Sequence, residues 1–186
     1  DQYAEENRVV IEHYIISSGI DDMIKGSPIG DRFKYIFASG FLYDRENIPH
    51  FAARSINYTT KTQYLFRISK GILNSWDRKV NKKMKEDEFQ IPFSQMIYLG
   101  DGETDVPAMK MLNYQGGYTL AVYPPKGSMS LEVEKKKDVV QQLQRDNRTQ
   151  FIAEADYSEG KQIHKIMCSL IQRIASEVRL QMNLKA

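Results

Sequence analysis

The stretch Met96–Met109, MIYLGDGETDVPAM, decides how the rest of this chain is read. Ile97, Tyr98 and Leu99 form an apolar run of the kind that fills a buried strand. The run stops at Gly100, and Asp101, Glu103 and Asp105 follow at once. Like charges packed this closely repel, so the segment is either a solvated turn or a place for a cation. Gly100 and Gly102 are read as the residues that let the backbone turn tightly around Asp101. Thr104 or Asp105 can cap the next helix, and Pro107 suits its first turn. A strand–turn–helix of this kind can bring Asp101 and Asp105 to one point at the strand's carboxyl end. Magnesium takes hard oxygen ligands and keeps several waters, so one or two carboxylates and a substrate phosphate suffice. Glu103 is expected to face solvent.

Outward from this motif, apolar and amphipathic runs alternate. Ile11–Ser17 (IEHYIIS) and Phe33–Ala38 (FKYIFA) read as strands, with a short helix over Ile20–Lys25. Phe41–Thr60 carries turn signals at Asp44, Asn47 and Pro49 and reads as a β-hairpin-like excursion. Lys61–Trp76 places Leu65, Ile68 and Ile72 at helical spacing. Residues 77–90 are lysine-rich and read as a surface insertion. A third strand runs up to Gly100, followed by a helix over Val106–Leu112. Thr119–Tyr123 (TLAVY) is a fourth strand and Gln150–Ala153 a fifth, at an edge. Helices are expected over Ser130–Arg145 and Glu159–Met182, the latter with an apolar stripe at Ile163, Ile166, Met167, Leu170, Ile171, Ile174 and Val178. Strands alternating with helices predict an α/β fold with a parallel sheet and helices on both faces. In such sheets ligands sit at the carboxyl ends of the strands.

Two further groups stand at such places. Ser17, Ser18 and Gly19 end the first strand just before a helix, where a hydroxyl and free amides can hold a phosphate. A serine there can equally be a simple N-cap. Lys61 opens a helix, where a cation opposes the macrodipole unless it faces something negative. The order Ser17, Lys61, Asp101, Asp105 sets a hydroxyl, a cation and an acid pair at element boundaries, which suits phosphoryl transfer.

These segments together resemble the haloacid dehalogenase (HAD) superfamily of phosphohydrolases, near its phosphoserine-phosphatase-like branch. YIISSG is similar to the second motif of that family, NYTTKTQYLFRISKG to the third and YLGDGETDVPAM to the fourth, and FASGFLYD also looks like this branch. The resemblance spans roughly Glu6–Tyr123. It implies a three-layer Rossmannoid core over residues 1–186, with 41–60 as the excursion and 77–90 as the insertion. It also implies a magnesium-dependent phosphatase acting on a small phosphorylated substrate. Ser17, Ser18, Gly19 and Lys61 would contact that substrate, Ser17 and Lys61 would be catalytic, and Asp101 and Asp105 would hold Mg²⁺.

The family's first motif, D-x-D-x-[TV], is not found in these 186 residues. In the family its first aspartate is the nucleophile, its second the general acid and base, and its strand is central in the sheet. The chain begins at Asp1 rather than Met, so we expect an upstream segment to carry that strand and the substrate-selecting cap. This chain alone is then expected to be inactive. The alternative is a non-catalytic binding or regulatory module of HAD-like fold. A receiver-type phosphoacceptor domain also uses acids, a hydroxyl and a lysine, but there the acids come first and the lysine last.

Composition fits this frame. The chain is 41% hydrophobic and 27% charged with a formal net charge of +2, too weak a bias to argue for nucleic acid. Cys168 is the single cysteine and sits in an apolar helical pattern, read as a buried structural thiol. It points to a reducing, cytoplasmic setting. No run approaches a membrane span and no signal peptide is visible. His13, His50 and His164 form no ligand spacing.

Overall fold

The computed structural model describes residues 2–125, 127 and 132–185. It is a mixed α/β structure with two three-stranded sheets, and the chain divides into two compact units, Glu12–Ile91 and Asp1–Ile11 with Pro92–Ala186.

In the Glu12–Ile91 unit, β1 (Tyr14–Ile20) leads into a short α2 (Asp21–Lys25), numbered after α1 (Gln2–Glu6) of the other unit. Then come β2 (Tyr35–Tyr43), β3 (Pro49–Arg54) and α3 (Lys61–Lys70). The sheet order is β1-β2-β3, with β1 parallel to β2 and β2 antiparallel to β3. Ile36, Phe37 and Ala38 of β2 are buried, and Phe37 stacks on Tyr64 of α3 with ring centroids 4.7 Å apart. Beyond Ser39 the strand runs out into a hairpin with β3. There Phe41, Leu42, Tyr43 and Phe51 stay exposed, as expected of an excursion outside the core.

Several boundaries differ from those read in the sequence. The first strand starts at Tyr14 rather than Ile11 and continues through Ile20, and the second extends to Tyr43 because it forms the first arm of the hairpin. Helix α3 stops at Lys70, not Trp76. Gly71 takes φ 68°, and the amides of Gly71 and Ile72 bond the carbonyls of Ile68 and Arg67, which closes the helix in a left-handed cap. The buried Arg67 then gathers the following loop by donating to the carbonyls of Asn74, Ser75 and Asp77. The 77–90 insertion forms two 3₁₀ turns, Arg78–Asn81 and Glu86–Glu88.

The other unit contains β4 (Ile97–Gly100), α4 (Val106–Tyr114), β5 (Tyr118–Tyr123), α5 (Glu132–Arg145), β6 (Phe151–Glu154) and α6 (Gln162–Lys185). Its sheet order is β4-β5-β6, all parallel. The central strand β5 is buried along nearly its whole length, which is why TLAVY reads as an unbroken apolar run. Leu120, Val122, Ala153 and Ile163 make its core, packed by Phe151, Ile166 and Met167. Of the apolar stripe on α6, Ile163 and Leu170 are fully buried, and the others are partly so. Ser130 and Leu131, read as the start of the helix before Arg145, lie outside the described residues. Among the described residues no helix is long and apolar enough to cross a membrane.

Candidate functional site

The acid motif follows β4 directly. Asp101 is the first residue after the strand and is exposed, whereas Asp105 is only 3% exposed. A 3₁₀ turn, Glu103–Asp105, joins strand to helix, and the Asp105 amide donates to the Gly102 carbonyl at 3.0 Å. Asp105 occupies the N-cap position of α4 but its side chain makes no capping bond. Its carboxylate turns back instead. Oδ1 accepts from the Tyr98 hydroxyl at 2.6 Å, and Oδ2 accepts from the Asp101 backbone amide at 3.2 Å. The Asp105 carboxylate is thereby tied to the Asp101 backbone, by a different bond from the cap expected. Burial pushes the Tyr98 phenol well above its ordinary range, and the negative charge of Asp105 and the hydrogen bond to it add to the shift.

The glycines of the motif are not equivalent. A Cβ on Gly100 would stand 2.7 Å from Asp105 Cβ, so the close approach of Asp105 requires a glycine there. Gly102 has φ −177° and ψ −172°, ordinary extended backbone, and a Cβ on it would meet nothing within 4 Å. The expectation that Gly102 is needed for the turn is thereby corrected. Glu103 is exposed, as expected.

Ser17, Ser18 and Gly19 do not end their strand. They form an irregularity inside it: Ile16 pairs with Phe37 and Ile20 with Ser39, so β1 holds two more residues over this span than β2 does. Bulges of this kind re-aim side chains and recur beside functional sites. Ser17 Oγ accepts from the Gly19 amide at 3.0 Å, a local turn rather than a helix cap, and α2 begins only at Asp21. Ser39, which the sequence reading missed, fastens the bulge. Its hydroxyl donates to the Ser18 carbonyl at 3.1 Å and accepts from the Ile56 amide at 3.0 Å, on the segment leading to Lys61.

Lys61 is the first residue of α3 and is 7% exposed. The approach to it is rigid: Asn57 Oδ1 accepts from the amides of Thr59 and Thr60, and the Thr60 hydroxyl accepts from the Asn57 amide. A buried cation at a helix N-terminus runs against both solvation and the macrodipole, which marks Lys61 as more than a surface lysine. α3 packs against β1, the strand of Ser17, within one unit; Asp101 and Asp105 belong to the other unit.

The paired acids that follow β1 are structural. Asp21 Oδ2 accepts from Arg54 at 2.9 Å and Lys25 at 3.0 Å, and Asp22 accepts from the Tyr43 hydroxyl. Among the described residues no group of three or more His, Cys, Asp or Glu side chains could hold a metal. Asp101 is the exposed carboxylate of the pair and could meet a hard cation that takes its other ligands from water and phosphate, while Asp105 anchors the loop. Cys168 is half-buried rather than buried, with its sulfur 3.7 Å from His164 Nε2. His13 precedes β1, and its carbonyl accepts from the Lys34 amide.

No protein-family model matches the chain. It is 30% identical over 178 residues to an uncharacterized protein of Borreliella burgdorferi, in a match that covers 86% of this chain and 57% of that protein. The chain thus spans somewhat over half the length of this relative.

Proposed function

We propose that the chain is the part of a HAD-like, magnesium-dependent phosphomonoester hydrolase that carries the second to fourth motifs. The observation that carries this reading is the acid pair after β4: an exposed Asp101 whose backbone amide is held by a buried Asp105. The two oxygens of the buried Asp105 accept from the Tyr98 hydroxyl and the Asp101 amide, so the turn is ordered around Asp101 rather than loosely solvated. Bound magnesium supplies charge neutralisation at the phosphate. Asp101 and Asp105 would hold it. By the resemblance, Ser17 would donate its hydroxyl to a phosphoryl oxygen, and Lys61 would pair with the phosphate and the nucleophile. The nucleophile is an aspartate on an upstream segment of the same protein: as it attacks phosphorus the P–O bond to the substrate alcohol breaks and the alcohol leaves, and water then hydrolyses the aspartyl-phosphate to inorganic phosphate and the free carboxylate. The sheets are in keeping with such a segment: β1 and β4 each stand at the end of their sheet, and each edge can take a further strand. This reading keeps the three-layer Rossmannoid fold, a cytoplasmic setting and a small phosphorylated substrate.

The test is turnover of p-nitrophenyl phosphate with Mg²⁺ by the protein including its upstream segment, with Asp101→Asn as the control. The proposal predicts metal-dependent hydrolysis that Asp101→Asn abolishes. No turnover, with Mg²⁺ binding unaffected by Asp101→Asn, supports the non-catalytic module instead, as would an upstream sequence lacking D-x-D-x-[TV].

A further inference from the structure

We infer that Tyr98 is a positioning residue for the Asp101 end of β4: its phenol holds Asp105 so that the other Asp105 oxygen fixes the Asp101 backbone. This rests on the reading of Asp101 and Asp105 as a magnesium site and adds to it Tyr98, a residue of the same stretch to which the sequence reading gave no role. The chain of contacts is short and direct. The Tyr98 hydroxyl donates to Asp105 Oδ1 at 2.6 Å, and Asp105 Oδ2 accepts from the Asp101 amide at 3.2 Å.

Strand alternation explains why the residue at 98 can do this. Side chains two apart share a face, so Tyr98 and Gly100 face one way, and both are buried, while Ile97 and Leu99 face the other. The missing side chain of Gly100 leaves the space that Asp105 fills, and Tyr98 places a donor beside it. An apolar strand face needs no hydroxyl, and phenylalanine would supply the same ring. A buried phenol is tolerated where its O–H finds an acceptor, and a buried carboxylate where donors reach both oxygens. Tyr98 (8% exposed) and Asp105 (3% exposed) satisfy one another. Without the phenol, Asp105 Oδ1 loses this donor, and with it a bond that orients the carboxylate toward the Asp101 amide. The exposed Asp101 side chain then loses the support that fixes its origin. Partners that orient ligands in this way tune affinity without touching the ion.

The experiment uses the protein including its upstream segment, with Tyr98→Phe, Asp105→Asn and the double variant. Two quantities are read: hydrogen exchange at the Asp101 amide, and Mg²⁺ affinity from calorimetric titration with MgCl₂. Tyr98→Phe is expected to lower protection of the Asp101 amide and to weaken Mg²⁺ by about tenfold. In the Asp105→Asn background Tyr98→Phe should change neither further, because its route is already cut. Should Tyr98→Phe fail to fold, Tyr98→Trp, which keeps a buried ring but not the phenol, replaces it with the same expectations. Unchanged protection and unchanged affinity in a folded variant overturn the inference, as do losses that add in the double variant. A wild-type chain that binds no Mg²⁺, or binds it equally well as Asp101→Asn, overturns the magnesium reading. The exchange result then still decides whether Tyr98 holds the Asp101 backbone.

Discussion

Gly100 and Asp105 pack so closely that a methyl group on Gly100 would lie 2.7 Å from the Asp105 Cβ and 2.8 Å from its Cγ. The strand residue and the buried acid therefore occupy one space, and the shape of the acid motif depends on a missing side chain. Gly100→Ala must displace Asp105 or bend the strand. It is expected to cost about 1–3 kcal/mol, as overpacking of a tight core does. Gly102→Ala has open space and extended backbone, and should stay within about 0.5 kcal/mol of wild type. Chemical denaturation of the two variants checks the contrast. Equal losses would show that the turn, not the Asp105 slot, requires glycine.

Lys61 is expected to act on the substrate. Lys61→Ala in the protein with its upstream segment should lower p-nitrophenyl phosphate turnover by about 10²–10³-fold, the scale of removing one preorganised partner of a developing charge. Far-UV circular dichroism should be retained. Turnover per folded molecule that stays intact while the melting temperature falls would assign Lys61 to packing.

How much of this was legible depends on whether the deciding contacts are local. β5 is central in its sheet, so its apolar run Thr119–Tyr123 announced it directly. Lys61 opens α3 as expected because the Asn57–Thr60 turn that starts the helix lies in adjacent residues. The end of α3 was misjudged although Lys70-Gly71 is a helix-stop signal, because Ile72 continued the helical spacing past it. The serine bulge was not legible, since an irregularity in a ladder depends on the partner strand, here Phe37 and Ser39 of β2. Tyr98 was visible only as one apolar residue in a strand. Its role depends on Asp105 abandoning the cap position to turn back, and no pattern of residue types encodes that.

Arg67 should be irreplaceable by lysine. It is 5% exposed, and its planar head reaches the carbonyls of Asn74, Ser75 and Asp77 at 2.7–3.2 Å. A lysine carries a single ammonium on a flexible stem and cannot span three carbonyls that arginine's fixed fork reaches. Arg67→Lys is expected to cost about 2–3 kcal/mol, the scale of leaving buried polar partners unsatisfied. Amide exchange between Ile72 and Asp77 should rise first. A loss spread evenly over the unit, with that loop no faster than the rest, would refute the clamp.

The acid limb of stability should contain a contribution from Glu12. Its carboxylate accepts from the Tyr14 hydroxyl at 2.5 Å and pairs with Lys34 at 3.3 Å. The Tyr14 bond is the main reason its pKa lies below the ordinary 4.5, with Lys34 helping and burial opposing. A carboxyl whose pKa is depressed by folding stabilises the fold above its unfolded value and loses that contribution as pH falls through the folded value. Glu12→Gln should therefore melt below wild type near neutrality, and the gap should close as pH falls below the ordinary 4.5 and Glu12 protonates. Tyr14→Phe should remove most of the same pH dependence by deleting the main cause, whereas Lys34→Met should remove less. Thermal melts of the three variants and wild type across this range provide the measurement. A gap between Glu12→Gln and wild type that shows no change as pH falls well below 4.5 would mean the ionised carboxylate contributes nothing through these partners.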